Sequence, residues 1–592
     1  MQDCAVTPCG STMGEILKDF TRFTERLEHF ILAFSKKKHP NNAAFDSAIL
    51  RPSKKTCSGD FTVAAAVVDR LKIKDYISSL SRELLHGCRD WSLSVTSCTI
   101  TSQGGLNVNL HRPSVFKKVL TSALEEGDNY GKDLSRKHDS TVTIGIVNGH
   151  LLPRERRGVH GDMTLSQLRG LLLTEHLSSL LESAGFQTCQ LTLASTPLTL
   201  LDCFEIETLQ EGPRQPKQAT IDRLSQATVR KAPASCKEPV TGPEDSVNSS
   251  DVEAREVICH CDGYICCNLH QYILNEGLPL GKSGYDRNLQ QGRVLSNDGL
   301  PSSLLKQCCL IEEGMTGLSP VPSHLIHVSS QAMSFQQQQL DLTWRLCTSQ
   351  NVPQYHITHG PTTARMDGSK KKQNIGVQDF LKIREEQTRE ASILKYGDEV
   401  HGDGWKELIR RLTIAGLKFE ILGKQHRHEL LLELSNACHR RTWPDCRDGV
   451  FVMYNYARLC TLFSNFEKEV AQGTYPALPD ISSVDFSLLR EDQEWGLLFN
   501  YVLQYPVMLA ECVQDISEVK GPHINIQTHR VCSFLASLCR DLSSYYSRTH
   551  VLGEARPHLV PTMFARLHLL KAVQQILTNG LSLLNVQPLR QM

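Results

Sequence analysis

The sequence predicts a multidomain chain with an α+β N-terminal domain, a Rossmann-type α/β middle and an all-α C-terminal bundle. Three observations predict it. Before residue 208, β-prone runs and helix-spaced runs alternate. From about residue 376 onward, Leu, Phe and Tyr recur almost entirely at helical spacing. Between these parts, over 208–255, periodicity vanishes under Pro, Gly and a Ser/Asn/Asp cluster. The 592 residues leave room for about three domains. We set them at 1–125, 135–400 and 405–592.

The elements follow in order. Phe20, Phe23, Leu27, Phe30 and Phe34 make an amphipathic helix near 14–34. Lys36, Lys37 and Lys38 then read as a solvated turn. The segment 57–125 reads as a small α+β unit, with strands near 95–100 and 106–110 around Gly104-Gly105 and a helix begun by Ser114. Next come a strand at 142–147, a helix at 165–181 closed near Gly185, and a strand within 191–201. That order suits a parallel sheet. Residues 208–255 read as a disordered insertion, 275–323 lack a clear period, and the Gln run at 336–339 reads as low complexity without chemistry of its own. The range 405–592 reads as a helical bundle.

Composition narrows the function classes. Apolar residues at 40% and charged residues at 22% fit a globular protein. With 64 basic and 64 acidic residues the net charge is zero, which argues against a polybasic, histone-like binder. It leaves room for RNA binding through a local patch. The 21 cysteines follow no secretory-type start, so we expect reduced thiols and a cytoplasmic protein. No run approaches the ~18 consecutive apolar residues of a membrane span. Neither a membrane nor DNA is expected as a partner.

Four blocks in the C-terminal part carry a family resemblance. They are FVMYNYARLC (451–460), LLREDQEWGLLFNYVLQYP (488–506), LASLCRDLSSYYSRTHVL (535–552) and RLHLLKAVQQILTNGLSLLNVQPLRQM (566–592). In order and spacing they resemble the DALR anticodon-binding domain of class I arginyl-tRNA synthetases. Ala457-Arg458 and Asn579-Gly580 are not demanded by helical period. Weaker similarity extends upstream. GLNVNLHRPSVFKKVL (105–120) is similar to the end of the synthetase N-terminal additional domain, which touches the tRNA elbow. LRGLLLTEHLSSLLESAGF (168–186) resembles the helix after the first catalytic motif, and HITHGPTTARMDGSKKK (356–372) the approach to the second. The whole resembles DALR anticodon-binding domain-containing proteins, and it implies a degenerate synthetase-like middle.

A class I synthetase uses His-x-Gly-His at a helix start to stabilise charge developing on ATP phosphates. Aligned back from the 168–185 helix, that motif falls on Thr164-Leu165-Ser166-Gln167, with Arg169 kept. Other registers give Val147-Asn148-Gly149-His150 or His160-Gly161, and none has both histidines. The basic loop Asp367-Gly368-Ser369-Lys370-Lys371-Lys372 keeps lysines but lacks the family's Ser/Gly-rich continuation. We therefore expect no aminoacylation and no catalytic residue. Cys259, His260, Cys261, Cys266, Cys267 and His270 are dense, yet they form no Cys-x-x-Cys pair, so they read as packed thiols rather than a zinc site. No Gly-x-Gly-x-x-Gly, P-loop or Gly-x-Ser-x-Gly is present, and no cofactor is expected.

Splayed anticodon bases are read by stacking on aromatic and guanidinium planes. Carried over by the resemblance, the RNA-binding candidates are Tyr454, Tyr456, Arg458, Tyr545, Tyr546 and Arg566. Asn107, Asn109 and Arg112 are candidates on the elbow side. Arg440, Arg441, Lys370, Lys371 and Lys372 could contact phosphates. The resemblance implies a non-catalytic adaptor that recognises arginine tRNA for a partner, an anticodon-loop 3-methylcytidine methyltransferase or other tRNA-modifying enzyme. A divergent arginyl-tRNA synthetase and a protein–protein scaffold are the alternatives.

Overall fold

The N-terminal domain is built on helix α1 (Gly14–Lys38), whose Phe20, Phe23, Leu27, Ile31 and Phe34 form one buried stripe. The computed structural model describes residues 14–39, 50–52, 59–88, 91, 93–133, 142–150, 163–191, 204, 215–231, 257–261, 263–366, 372, 375–397, 402–434, 447–517 and 521–591. After α1 come β1 (Leu50–Pro52), β2 (Phe61–Val63), α2 (Ala65–Arg70), α3 (Ile77–Gly87), β3 (Val95–Ile100), β4 (Leu106–Leu110) and α4 (Arg112–Glu126). The strands make an antiparallel sheet in the order β1-β2-β4-β3. Helix α4 starts before Ser114 because Pro113 occupies its first turn, where a missing N–H leaves no bond unmade.

The middle holds β5 (Thr143–Asn148), α5 (Leu165–Ser183), β6 (Gln187–Leu191), α6 (Gln218–Lys231), β7 (Ile258–Cys261), β8 (Tyr264–Asn268), α7 (Leu269–Asn275), β9 (Gln291–Ser296), α8 (Ser303–Thr316), β10 (His324–Ser330), α9 (Ser334–Thr348) and β11 (Gln354–His359). A fully parallel sheet runs β11-β10-β5-β6, crossed by α5 and α9, which is the predicted doubly wound arrangement. A separate antiparallel sheet, β7-β8-β9, sits beside it.

Two expectations for the middle need correction. Within the stretch 208–255, read as disordered, α6 is a helix whose Ile221, Leu224 and Thr228 are buried against α8 and α9. Its short apolar stripe was hidden by the Pro/Gly-rich flanks; of that stretch, residues 208–214 and 232–255 lie outside the described residues. The glutamine run is not idle either. It lies in α9, where the Gln337 amide meets His327 Nδ1 at 2.7 Å and Gln338 Oε1 accepts from the Asp286 amide at 2.9 Å.

A short parallel pair, β12 (Thr362–Met366) with β13 (Leu430–Leu434), links the middle to the helical part. That part contains α10 (Val377–Tyr396), α11 (Asp403–Leu422), α12 (Arg447–Ala471), α13 (Asp492–Leu497), α14 (Tyr505–Ser517), α15 (His529–Arg548) and α16 (Val560–Leu583). A π-helical turn, Leu498–Val502, continues α13. By length and composition Asp492–Gln514 could cross a membrane, but most of it is packed inside the bundle.

One apolar core runs from the N-terminal domain into the bundle. Phe61 meets Phe499 edge-on at 5.6 Å, and Phe116 meets Trp495 at 5.4 Å. The Trp495 indole donates to the buried Asp60 at 2.7 Å, and Tyr130 donates to the Val502 carbonyl at 2.9 Å. A second core lies under β7-β8-β9, with α6, α8 and α9.

Candidate nucleic-acid interface

Helix α12 turns one face outward. Tyr454, Ala457, Arg458, Thr461, Leu462 and Asn465 are spaced three and four apart, so they share that face. Opposite them stand Tyr546, at the end of α15, and the following turn with His550 and Val551. Together they line a groove of about 490 Å³. Inside it, the Arg458 guanidinium lies 3.8 Å from the centre of the Tyr546 ring. Tyr454 is 39% exposed, and the Lys395 ammonium stands 5.1 Å from its ring centre. The groove therefore offers two aromatic planes, a stacked guanidinium and the polar tips of Thr461, Asn465 and His550. That set can stack a planar base and bond its edge.

The structure brings together three sequence candidates, Tyr454, Arg458 and Tyr546, and takes several others elsewhere. Tyr456 lies two residues from Tyr454, nearly opposite on the helix. It is buried, and its hydroxyl accepts from Thr578 at 3.4 Å. Tyr545 is wholly buried and donates to Glu494 at 3.1 Å. Arg566 donates to the same buried carboxylate at 2.8 Å and is its counter-ion. Tyr456 and Tyr545 are corrected from base contacts to core positions, and Arg566, half-buried, is engaged with Glu494.

The elbow-side candidates are corrected as well. Asn107 is buried on β4 against Gly59, where an added Cβ would lie 2.7 Å from Asn107 Cβ. Asn109 spends its amide on Ser97 at 2.9 Å. Arg112 bonds Asp492 at 3.1 Å and lies over Trp495 at 5.2 Å, which ties α4 to the bundle. Lys372 pairs with Glu429 on the surface. Lys370, Lys371, Arg440 and Arg441 lie outside the described residues.

Sequence reasoning missed Lys395, Thr461, Asn465 and His550. Thr461 and Asn465 could have been found by continuing the α12 face from Tyr454. Lys395 is delivered by tertiary packing of α10 and has no local signal.

The crevice at the carboxyl ends of the parallel strands is the other region the sequence singled out. Thr164 and Gln167, where the paired histidines would fall, form a capping box on α5. The Gln167 amide donates to Thr164 Oγ1 at 3.3 Å, and the Thr164 amide to Gln167 Oε1 at 2.8 Å. Arg169 is fully buried and donates to the carbonyls of His428, Gly360 and Gln425 at 2.8, 3.1 and 3.1 Å. Desolvation lowers its pKa to about 10. His150 and His359 meet through their Nε2 atoms at 2.8 Å, directly against Gly170. Burial, then the neighbouring His150, lowers His359 to about 3.

Farther along the sheet, Asp341 bonds Arg345 at 2.7 Å, Tyr285 at 2.7 Å and His356 at 3.0 Å. The polar groups here are engaged with one another. In the Cys259–His270 region, strand alternation splits the cysteines, and Cys267 enters the core with Cys308 and Cys347. Among the described residues, no three His, Cys, Asp or Glu side chains are placed to hold a metal.

Fold and groove together define an arginyl-tRNA synthetase-like architecture that ends in an anticodon-binding-type helical domain. Over the whole chain it is similar to the solved arginyl-tRNA synthetase of Plasmodium falciparum, covering 96% of this chain and 99% of that one at a TM-score of 0.61 and 11% identity. Residues 452–592 match the family model of the DALR anticodon binding domain. In sequence, the chain is 33% identical to DALR anticodon-binding domain-containing protein 3 of Mus musculus, over 82% of this chain and 84% of that one. The Danio rerio protein of the same name is 30% identical over 90% and 91%. The chain belongs to the family of DALR anticodon-binding domain-containing protein 3.

Proposed function

We propose that this protein is a non-catalytic tRNA-binding adaptor. It holds an arginine-type tRNA by the anticodon loop and delivers it to a partner methyltransferase that forms 3-methylcytidine in that loop. The observation that carries the reading is the Arg458–Tyr546 stack facing Tyr454 across one groove, within the matched anticodon-binding domain. Anticodon bases are single-stranded, and stacking planes of this kind receive them.

The lack of catalysis is supported by the α5 start. Thr164 and Gln167 spend their polar groups capping the helix, and neither can supply an imidazolium-like donor to a phosphate. Arg169 spends its guanidinium on backbone carbonyls. The free thiols among the described residues fit the cytoplasm, where we place this step.

The test is recovery and sequencing of RNA bound to the purified protein. Enrichment of arginine tRNAs, lost in Arg458→Ala, supports the reading; uniform recovery of all tRNAs refutes it. A divergent arginyl-tRNA ligase is the second reading, favoured by the intact parallel sheet. Its signature would be arginine-dependent ATP–pyrophosphate exchange.

A further inference from the structure

The groove does not end at Tyr454. Lys395, near the end of α10, lies 5.1 Å from the Tyr454 ring centre and 4.8 Å from that of Tyr396. Tyr396 in turn meets Trp405, in the first turn of α11, at 5.4 Å and 50°. Along the surface Arg458 stacks on Tyr546 in the groove that Tyr454 also lines, Lys395 stands between Tyr454 and Tyr396, and Trp405 packs beside Tyr396. Tyr396 and Trp405 are half-buried, and Lys395 is exposed. Among the described residues Lys395 has no carboxylate partner. The adjacent Leu394 is 81% exposed. These residues precede the matched domain at 452–592.

We propose that Lys395, Tyr396 and Trp405 form a second stacking platform, which holds anticodon-loop nucleotides flanking those in the Tyr454–Tyr546 groove. This rests on the RNA-binding reading above. A single strand repeats base, phosphate, base. A cation held between two rings matches a phosphate between two stacked bases. Continuity through Lys395 and Tyr454, which links the platform to the groove, favours the same RNA strand as occupant over a separate ligand.

The experiment measures binding of anticodon stem-loop RNAs in which each loop nucleotide is made abasic in turn. The full-length protein is compared with Lys395→Ala, Tyr396→Leu, Trp405→Leu and the ring-preserving Trp405→Phe. We expect Tyr396→Leu and Trp405→Leu to lose at least fivefold in affinity, roughly the effect of one lost stacked base. Trp405→Phe should stay within twofold of wild type. Lys395→Ala, an exposed change that leaves the fold intact, should flatten the salt dependence of binding.

One abasic position outside the anticodon triplet should weaken wild type yet leave Trp405→Leu unaffected. If wild type binds no stem-loop, the RNA-binding reading itself fails. If wild type binds and the leucine variants stay within twofold, or weaken with no abasic position coupled to them, the platform only joins α10 to α11 and the inference is overturned.

Discussion

At the residue scale, neighbouring side chains on one helix do different work. Tyr545 and Tyr546 are adjacent, so about 100° of helical rotation sends one into the core and leaves the other in the groove. Tyr546→Ala and Arg458→Ala are expected to weaken stem-loop RNA binding by about 1–3 kcal/mol each, measured by fluorescence anisotropy. Tyr545→Phe should leave RNA affinity unchanged and lower the melting temperature. Arg566→Met leaves the Glu494 carboxylate buried without its counter-ion and should cost about 3 kcal/mol of stability. Adding Glu494→Gln should recover much of that loss, as read by denaturant unfolding.

His327 and His359 give the fold an acid limit. Burial, then a histidine neighbour in each case, lowers both to about 3. Unfolded histidine takes up a proton near 6.5, so below that the unfolded chain binds more protons than the fold. Their contribution is complete above about pH 6.5 and is lost as pH falls towards 3. The loss reaches about 3 kcal/mol for each by pH 4. Thermal melts from pH 7 to 4 should show that slope, and His327→Gln should flatten it.

At the element scale, α5 is the packing centre of the middle domain. Its sequence carries almost no amphipathic contrast because it is buried on nearly every side, against the parallel sheet, α11, α14 and α16. A Cβ on Gly170 would stand 2.6 Å from His150 Cδ2. Gly170→Ala is expected to displace the His150–His359 pair and cost about 1–3 kcal/mol. The lost contact would appear as a shift of the His359 imidazole resonances.

Elements with their own period were legible in the sequence: the α1 stripe, β5 followed by α5, and the helices of the bundle. Helix α6 was not, because Pro-rich flanks masked a stripe of only two apolar residues, Ile221 and Leu224, with Thr228. Half of the groove was legible because α12 carries Tyr454 and Arg458 in a recognisable block. The α10 contribution was not, since Lys395 reaches Tyr454 only through tertiary packing. The elbow-side candidates misled for a related reason. They came from the resemblance alone, and nothing local in the sequence reveals that Arg112 on α4 and Asn107 on β4 face the bundle and the Gly59 turn.

At the scale of the molecule, the N-terminal region and the helical bundle share one apolar core and are expected to unfold together. Removing residues 1–133 would uncover the sides of Phe499, Trp495 and Tyr505 that meet Phe61, Asp60 and Tyr130, so the remaining chain is expected to aggregate. Intact protein should show a single calorimetric transition for these two domains. Binding should also weaken as salt rises, since a neutral chain must use local cations such as Lys395 and Arg458 on phosphates.

The bond between Asp60 and Trp495 joins residues 435 positions apart. A ribosome adding roughly 5–20 residues per second needs on the order of a minute to make the second partner after the first. Through that interval Phe61 and Phe116 have no lid, and the newborn N-terminal domain offers an open apolar face. Holding chaperones are therefore expected to matter for this chain, because a face made early waits for a partner made late. Their effect should be greatest on nascent chains stalled before residue 495.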